Sequence, residues 1–232
     1  MSDREKILGR IRDALRTPAP RPGVHGAAAL DQREDASSHD VPDYTDWLPL
    51  VGKDFDSRAE LFARQSVELK TEFFRLKNES ELPARFQQLA AENQWKQVAT
   101  HRGALTDLTL RGTSLKTISV DGGYRVEDME AADAGLTECE SLVAQTGSVL
   151  VSSRSSGGRA LSVLPPHHVV VARNSQMVGD LTESFALLSK KYGTKYPSLL
   201  SFITGPSRTG DIERILVLGA HGPKRLTVFC VP

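Results

Sequence analysis

The run Ser201-Phe-Ile-Thr-Gly-Pro-Ser-Arg-Thr-Gly-Asp-Ile-Glu213 carries the densest set of groups able to hold an anion. An apolar stretch ends at Thr204, a Gly205-Pro206 turn follows, and Ser207, Arg208, Thr209 and Asp211 come next. Backbone amides beyond a strand end, joined by the Ser207 and Thr209 hydroxyls, suit phosphate or carboxylate oxygens. Arg208 adds a planar, permanently charged fork that can grip an oxyanion at two points. A plainer assignment stands beside this one: Ser207 or Thr209 caps one helical turn, and Arg208 pairs with Asp211 or Glu213. The segment is not a Walker loop, because it lacks the Gly-Lys-Ser/Thr ending.

A second loop, Ser152-Ser-Arg-Ser-Ser-Gly-Gly-Arg159, repeats that composition. Gly158 permits close backbone approach and Arg159, with Arg154, supplies positive charge. Ordinary surface loops have the same makeup. Thr146 and Gly147 stand in the turn Gln145-Thr146-Gly147 between two β-prone runs, and are taken as part of the same predicted pocket. If 136–144 is one strand, Glu138 and Glu140 share a face at ~7 Å separation. Such a pair can serve acid–base or nucleophilic chemistry, or simply face solvent. Glu138 is assigned to solvent, and Glu140, nearer the turn, is the catalytic candidate. His221, in Gly219-Ala-His-Gly222, is the second, against a default hydrogen-bonding role. His167 and His168 are neighbours after Pro165-Pro166; successive strand residues face opposite ways, so they do not share a metal. No His-Glu-x-x-His or clustered Cys/His set is present, and no metal site is predicted.

The elements that must position these groups follow from periodicity. Ile7, Leu8, Ile11 and Leu15 predict a short amphipathic helix over 2–16. Pro18, Pro20, Pro22 and Pro42 mark 17–44 as an arm, so the expected division is 1–44 and 45–232. The helix on its arm can dock on its own domain or on a neighbouring subunit. Ser57 and Glu60 predict a capping box opening a helix with Leu61, Phe62 and Leu69. Further helices are expected over 80–93 and 175–190, the latter stopped by Gly193. Strands are expected at 71–77, 96–101, 116–120, 136–144, 148–153, 168–173, 198–204, 214–220 and 226–231. This alternation predicts an α/β fold, a mixed sheet flanked by helices.

Composition narrows the function. The 232 residues carry 29 basic and 29 acidic side chains, a balance that argues against a dedicated nucleic-acid binder. Cys139 and Cys230 are isolated in apolar runs and read as buried thiols; without Cys-x-x-Cys, the chain is not expected to hold an iron–sulfur cluster itself. No apolar run approaches the ~20 residues of a membrane span and no signal core opens the chain, so a cytoplasmic protein is expected.

Six segments recur in the same order in a known family: Leu136-Thr-Glu-Cys-Glu140, Ala144-Gln-Thr-Gly-Ser148, Gly158-Arg159, Leu164-Pro-Pro-His167, Ile203 through Glu213, and Leu218-Gly-Ala-His-Gly-Pro223. Together they resemble the lactate utilisation protein C (LutC/YkgG) family, built on the LUD domain, most specifically over 130–232. The resemblance implies a fold similar to the ribose-phosphate isomerase, glucosamine-phosphate deaminase and CoA-transferase group (NagB/RpiA/CoA-transferase-like). It implies a part in oxidation of L-lactate to pyruvate, with iron–sulfur clusters on partner proteins and none on this chain. No established catalytic role comes with it. Many relatives have a carboxylate where this chain has Gln145, which cannot act as a base at neutral pH. Glu140 matches an acidic position and inherits the weight. An accessory subunit, a small-molecule enzyme and a non-catalytic anion sensor all remain compatible with the residues.

Overall fold

The computed structural model describes residues 48–210, 216–218 and 222–232, together with Gly9 and Asp13. The chain divides into two units, Met1–Trp47 and Leu48–Pro232. The expected N-terminal helix and Pro-rich arm lie outside the described residues, and every element below belongs to the second unit. Among the described residues no helix is long and apolar enough to cross a membrane.

Helix α1 (Phe55–Leu69) comes first. Its cap is Asp54, whose carboxylate accepts from the Ser57 amide at 2.9 Å. The expected Ser57–Glu60 capping box is thus replaced by one set earlier, with the Ser57 hydroxyl donating to Asp54 at 2.6 Å. A carboxylate at this end also meets the positive pole of the helix. The helix stops at Lys70, which turns left-handed (φ 63°) and returns its amide to the Ser66 and Val67 carbonyls. Then follow β1 (Glu72–Arg75), α2 (Leu82–Glu92), β2 (Gln97–Thr100), α3 (Ala104–Thr109) and β3 (Lys116–Ser119). Next come α4 (Val126–Glu130), β4 (Ala134–Thr137), β5 (Ser141–Val143), β6 (Ser148–Ser152), β7 (His167–Arg173) and β8 (Met177–Val178). The chain closes with α5 (Leu181–Tyr192), β9 (Leu200–Ile203), β10 (Arg208–Gly210), β11 (Leu216–Leu218) and β12 (Arg225–Val231).

The strands fall into a large parallel sheet, a small mixed sheet and a strand pair. Six run in the order β1-β12-β7-β4-β2-β3, and every pairing in this sheet is parallel. Four more form a mixed sheet, β8-β5-β6-β9, and β10 pairs with β11 alone. The α/β class is as expected.

Three local expectations change. The span 136–144 is not one strand: β4 ends at Thr137 in the large sheet and β5 begins at Ser141 in the small one. Glu138 and Glu140 therefore lie in the crossing segment and not on one strand face. Val178 belongs to β8, and the helix expected from 175 starts at Leu181, where Asp180 caps it by accepting from the Glu183 amide at 2.8 Å. The segment after Ser207 continues as strand β10, not as a helical turn.

Burial follows the layers. One face of the large sheet (Val169, Val171, Phe229, Val231) packs on Leu82, Phe86 and Leu89 of α2. The other (Val170, Leu226, Val228, Cys230) packs on Phe62 of α1 and on Leu142, Val149 and Val151 of the small sheet. The outer face of the small sheet takes Leu188 and Tyr192 of α5. Both cysteines are free and buried, and burial pushes the Cys230 thiol up to about 12.

Gly135 sets how closely the 160–162 turn lies on β4, since a Cβ there would collide with the Leu161 carbonyl oxygen. Gly135→Ala forces backbone apart in a fully buried strand and should cost ~3 kcal/mol or more in urea unfolding. Unchanged stability would show that the turn yields freely.

Candidate functional site

A pocket of about 230 Å³ opens between the two larger sheets. His168 and Leu226 of the large sheet form one wall, and Phe202 and Ile203 of the small sheet the other. Its remaining lining comes from Ser162-Val163, from Thr204 through Ser207, and from Gly222-Pro223. The volume falls below the ~300–1,000 Å³ of pockets for drug-sized ligands, so the occupant it suits is small. Among the described residues its lining includes no Lys, Arg, Asp or Glu.

The Gln145-Thr146-Gly147 turn reaches the Gly205 loop through hydroxyls. Thr146 Oγ1 lies 2.8 Å from Ser148 Oγ, which lies 2.8 Å from Thr204 Oγ1 at the rim. The hairpin expected around Gln145-Thr146-Gly147 is present, with Val143 opposite Ser148 and Gly147 at φ +64°. Gly147 and Gly205 (φ +85°) both press on the end of α1. A Cβ on Gly147 would stand 2.7 Å from Gln65 Cβ, and one on Gly205 would stand 2.9 Å from the Leu69 carbonyl oxygen. The Arg208 guanidinium donates to that same carbonyl. The Ser207 amide donates to the Pro223 carbonyl at 2.9 Å, closing the mouth. Thr209 lies in β10 opposite Val217. Asp211 and His221 lie outside the described residues.

The Ser152–Arg159 loop is held largely by its own serines. The Ser152 hydroxyl accepts from the Arg154 and Ser155 amides, and Ser156 Oγ donates to the Ser152 and Gly158 carbonyls. Arg154 stands over the Tyr192 ring, and Arg159 donates to the Ser198 carbonyl at 3.2 Å. Neither arginine nor Gly158 lines the pocket at Gly205. Gln145 is engaged elsewhere too, donating to the Pro49 carbonyl at 3.1 Å.

Glu140 is fully buried yet ionised. Its carboxylate accepts from Ser152 Oγ, Lys191 Nζ and Tyr192 Oη, each at 2.6 Å. Burial alone would raise its pKa, but these three donors outweigh it and hold the group below the usual value. The residue ties the small sheet to the last turn of α5 beside a surface pocket bordered by Gln176, Leu187 and Lys190. Three short charge-assisted bonds leave the carboxylate structurally committed.

The point where the order of the parallel strands reverses lies between β2 and β4, the usual ligand position in such sheets. Here His101 Nε2 accepts from the Glu138 amide at 3.2 Å, and Nδ1 faces the Arg102 carbonyl at 3.1 Å. The Glu138 carboxylate caps α3 through the Leu105 and Thr106 amides. Gly157 covers the imidazole so closely that a Cβ would stand 2.5 Å from His101 Cβ. His101 was not singled out from sequence; its place at the C-terminal end of the β-prone run 96–101 was the available signal.

His167 and His168 do face opposite sides. His167 Nε2 donates to Thr227 Oγ1 at 2.7 Å, and Thr227 donates to Glu72 at 2.9 Å. Burial, reinforced by Arg225 and opposed by Glu72, lowers its pKa to about 4. His168 Nε2 lies 2.9 Å from Thr137 Oγ1, while its Nδ1 has no hydrogen-bond partner. Burial lowers its pKa to about 3, so the ring is neutral. Among the described residues no group of three or more His, Cys, Asp or Glu is placed to hold a metal ion.

A six-stranded parallel sheet joined to a small mixed sheet over a shared core defines an α/β protein with a pocket between its sheets. Residues 59–231 match the LUD domain, and the chain belongs to that family. It is 33% identical over 112 residues to the Lactate utilization protein C of Bacillus licheniformis, covering 47% of each. To that of Halalkalibacterium halodurans it is 35% identical over 113 residues, or 48% of this chain and 49% of the other. The aligned stretch thus spans about half the length of these curated relatives. A DUF162 family protein from Deinococcus radiodurans, solved at 1.70 Å, shares the fold: TM-score 0.63, 22% identity, covering 79% of this chain and all of the other.

The two depressed histidines have a definite acid signature. Their folded pKa values lie below the ordinary 6.5, so the unfolded chain binds more protons as pH falls below that value. Their stabilising effect is complete above pH 6.5 and lost as pH falls toward about 4 and about 3. Urea unfolding at pH 5 should show a loss of about 2 kcal/mol per histidine relative to pH 7.5. His167→Gln should remove its share; a flat pH profile would contradict the neutral burial.

Replacing Glu140 by Ala leaves its three donors without their acceptor. The expected cost is ~3 kcal/mol, with Glu140→Gln milder, measured by chemical denaturation. Wild-type stability in Glu140→Ala would mean that the buried carboxylate holds nothing together.

Proposed function

We propose that this chain is a component of a lactate utilisation system, binding a small carboxylate or phosphate at the pocket mouth formed by Gly205, Ser207 and Arg208. Iron–sulfur proteins that carry out the electron transfer are its proposed partners. The observation that carries the reading is the identity to proteins named Lactate utilization protein C, within a chain whose Gly-Pro-Ser-Arg loop borders a small cavity. The commitment of Glu140 to Ser152, Lys191 and Tyr192 favours binding over covalent catalysis by that carboxylate. A CoA-transferase-like nucleophile at Gln145 is disfavoured by chemistry, since an amide is neither base nor good nucleophile.

Calorimetric titration of the full chain with L-lactate, pyruvate and inorganic phosphate tests the pocket. At least one should bind, and Ser207→Leu, which fills the mouth, should weaken it by about tenfold or more. In the native host, deletion should abolish growth on L-lactate, restored by the wild-type chain. Unimpaired growth together with no binding would remove this reading.

A further inference from the structure

Charge is distributed unevenly along this neutral chain. Residues 141–179 contain no Asp or Glu, and neither do residues 184–210. The two acids between them lie at the start of α5, where Asp180 caps the helix and Glu183 pairs with Arg58. Basic side chains gather at the other end. Lys190 and Lys191 stand in the last turn of α5, Lys195 follows it, and Arg154 and Arg159 come from the Ser152–Arg159 loop. All five are exposed.

Contacts around Tyr192 hold this group together. Arg154 Cζ and Lys191 Nζ each stand 5.3 Å from the centre of the Tyr192 ring. Lys195 returns its amide to the Tyr192 carbonyl, and Arg159 reaches the Ser198 carbonyl. Tyr196, 48% exposed, places its ring 6.3 Å from that of Tyr192. Lys191 is paired with the buried Glu140, whereas among the described residues the other four cations form no ion pair. Lysines in a last helical turn answer the helix dipole, which accounts for Lys190 and Lys191. It does not account for Arg154, Arg159 or Lys195. Like charges gathered in this way repel one another until an anion meets them.

We propose that this basic face, formed by the end of α5 and the Ser152–Arg159 loop, docks an acidic protein partner. Asp and Glu side chains of that partner meet Arg154, Arg159, Lys190 and Lys195 around the exposed Tyr196 ring. Arg154 is laid on Tyr192 and Lys191 is tethered to Glu140, so two of the cations hold fixed positions. Fixed cations read a fixed pattern of negative groups. Arg and Tyr are enriched at protein interfaces, and an Arg fork matches a carboxylate at two points. Single-stranded nucleic acid stacks successive bases on open rings; here Tyr196 is open but Tyr192 is buried. None of these residues lines the pocket at Gly205, so the face does not depend on what that pocket binds.

Poly-L-glutamate, titrated into the full chain at rising salt, is the first probe. It should bind, less tightly as salt increases, and Lys190→Glu with Lys195→Glu should weaken it about tenfold or more. Lys53→Glu with Lys116→Glu changes the net charge equally at exposed positions elsewhere and should leave binding near wild type. In the native host, a photo-cross-linker at Thr194 should capture a protein rich in Asp and Glu, and lose it in the chain carrying Lys190→Glu and Lys195→Glu. Equal weakening by the two pairs would trace binding to net charge and overturn the docking face, as would no binding at all. Tighter binding of polyuridylate or of phosphatidylserine vesicles than of poly-L-glutamate would give the face to nucleic acid or membrane instead. Absence of an acidic cross-linked partner would equally sink it.

Discussion

The last turn of α1 is the support on which the two sheets are set against each other. Gly147 from the hairpin of the small sheet packs on Gln65, and Gly205 packs on the Leu69 carbonyl. Arg208 donates to that carbonyl from the strand pair that follows. Lys70 then turns the chain left-handed into β1, which lies at the edge of the large sheet. Helix ends leave carbonyls without internal partners, so a guanidinium placed here satisfies one and opposes the negative pole of the helix. Glycine is required at both contacts because the backbone is left-handed and the approach leaves no room for a Cβ. The gap beside Gly205 is the pocket, so its width depends on this contact.

Polar burial divides into two kinds. Glu140 and His167 are finished networks: every contact of Glu140 is a short donor bond, and His167 passes through Thr227 to Glu72 and Arg225. Networks of that kind rigidify a fold when complete and are costly when broken. They explain why charged or ionisable residues sit among Val and Leu without implying chemistry. His168 belongs to the other kind, with one nitrogen satisfied and one not. The contrast between adjacent residues of one strand separates a structural histidine from one with an unmet bond.

Much of the fold was legible because its signals are local. Hydrophobic periodicity located α1 and α2, Gly193 marked the end of α5, and Gln145-Thr146-Gly147 located the hairpin. Failures came where a tertiary partner decides. Residues 136–144 read as a single strand because no Gly or Pro interrupts them, yet the chain leaves one sheet at Thr137 and enters another at Ser141. Only the distant pairings, β4 with β7 and β5 with β6, settle that break. The site was legible as a segment but not as contacts. Ser207, Gly205 and Thr146 do converge on one region, whereas Arg159, Gly158 and Glu140 serve their own neighbourhoods. His168 could not be singled out beforehand, since an unpaired nitrogen is defined by what surrounds it.

Arg208 shows why composition alone misleads about anion sites. A guanidinium has five N–H donors, and at least one of these is given to Leu69. That bond fixes the fork at the end of α1, where its charge also answers the helix dipole. The guanidinium lies beside Gly205 and is not part of the pocket lining. A positive charge so placed favours an anionic group only at the mouth, because field strength falls quickly once water intervenes. The interior is lined mainly by apolar groups, Val163 and Leu226 among them, with the His168 ring. The arginine that composition offers as an oxyanion clamp is anchored to a helix end.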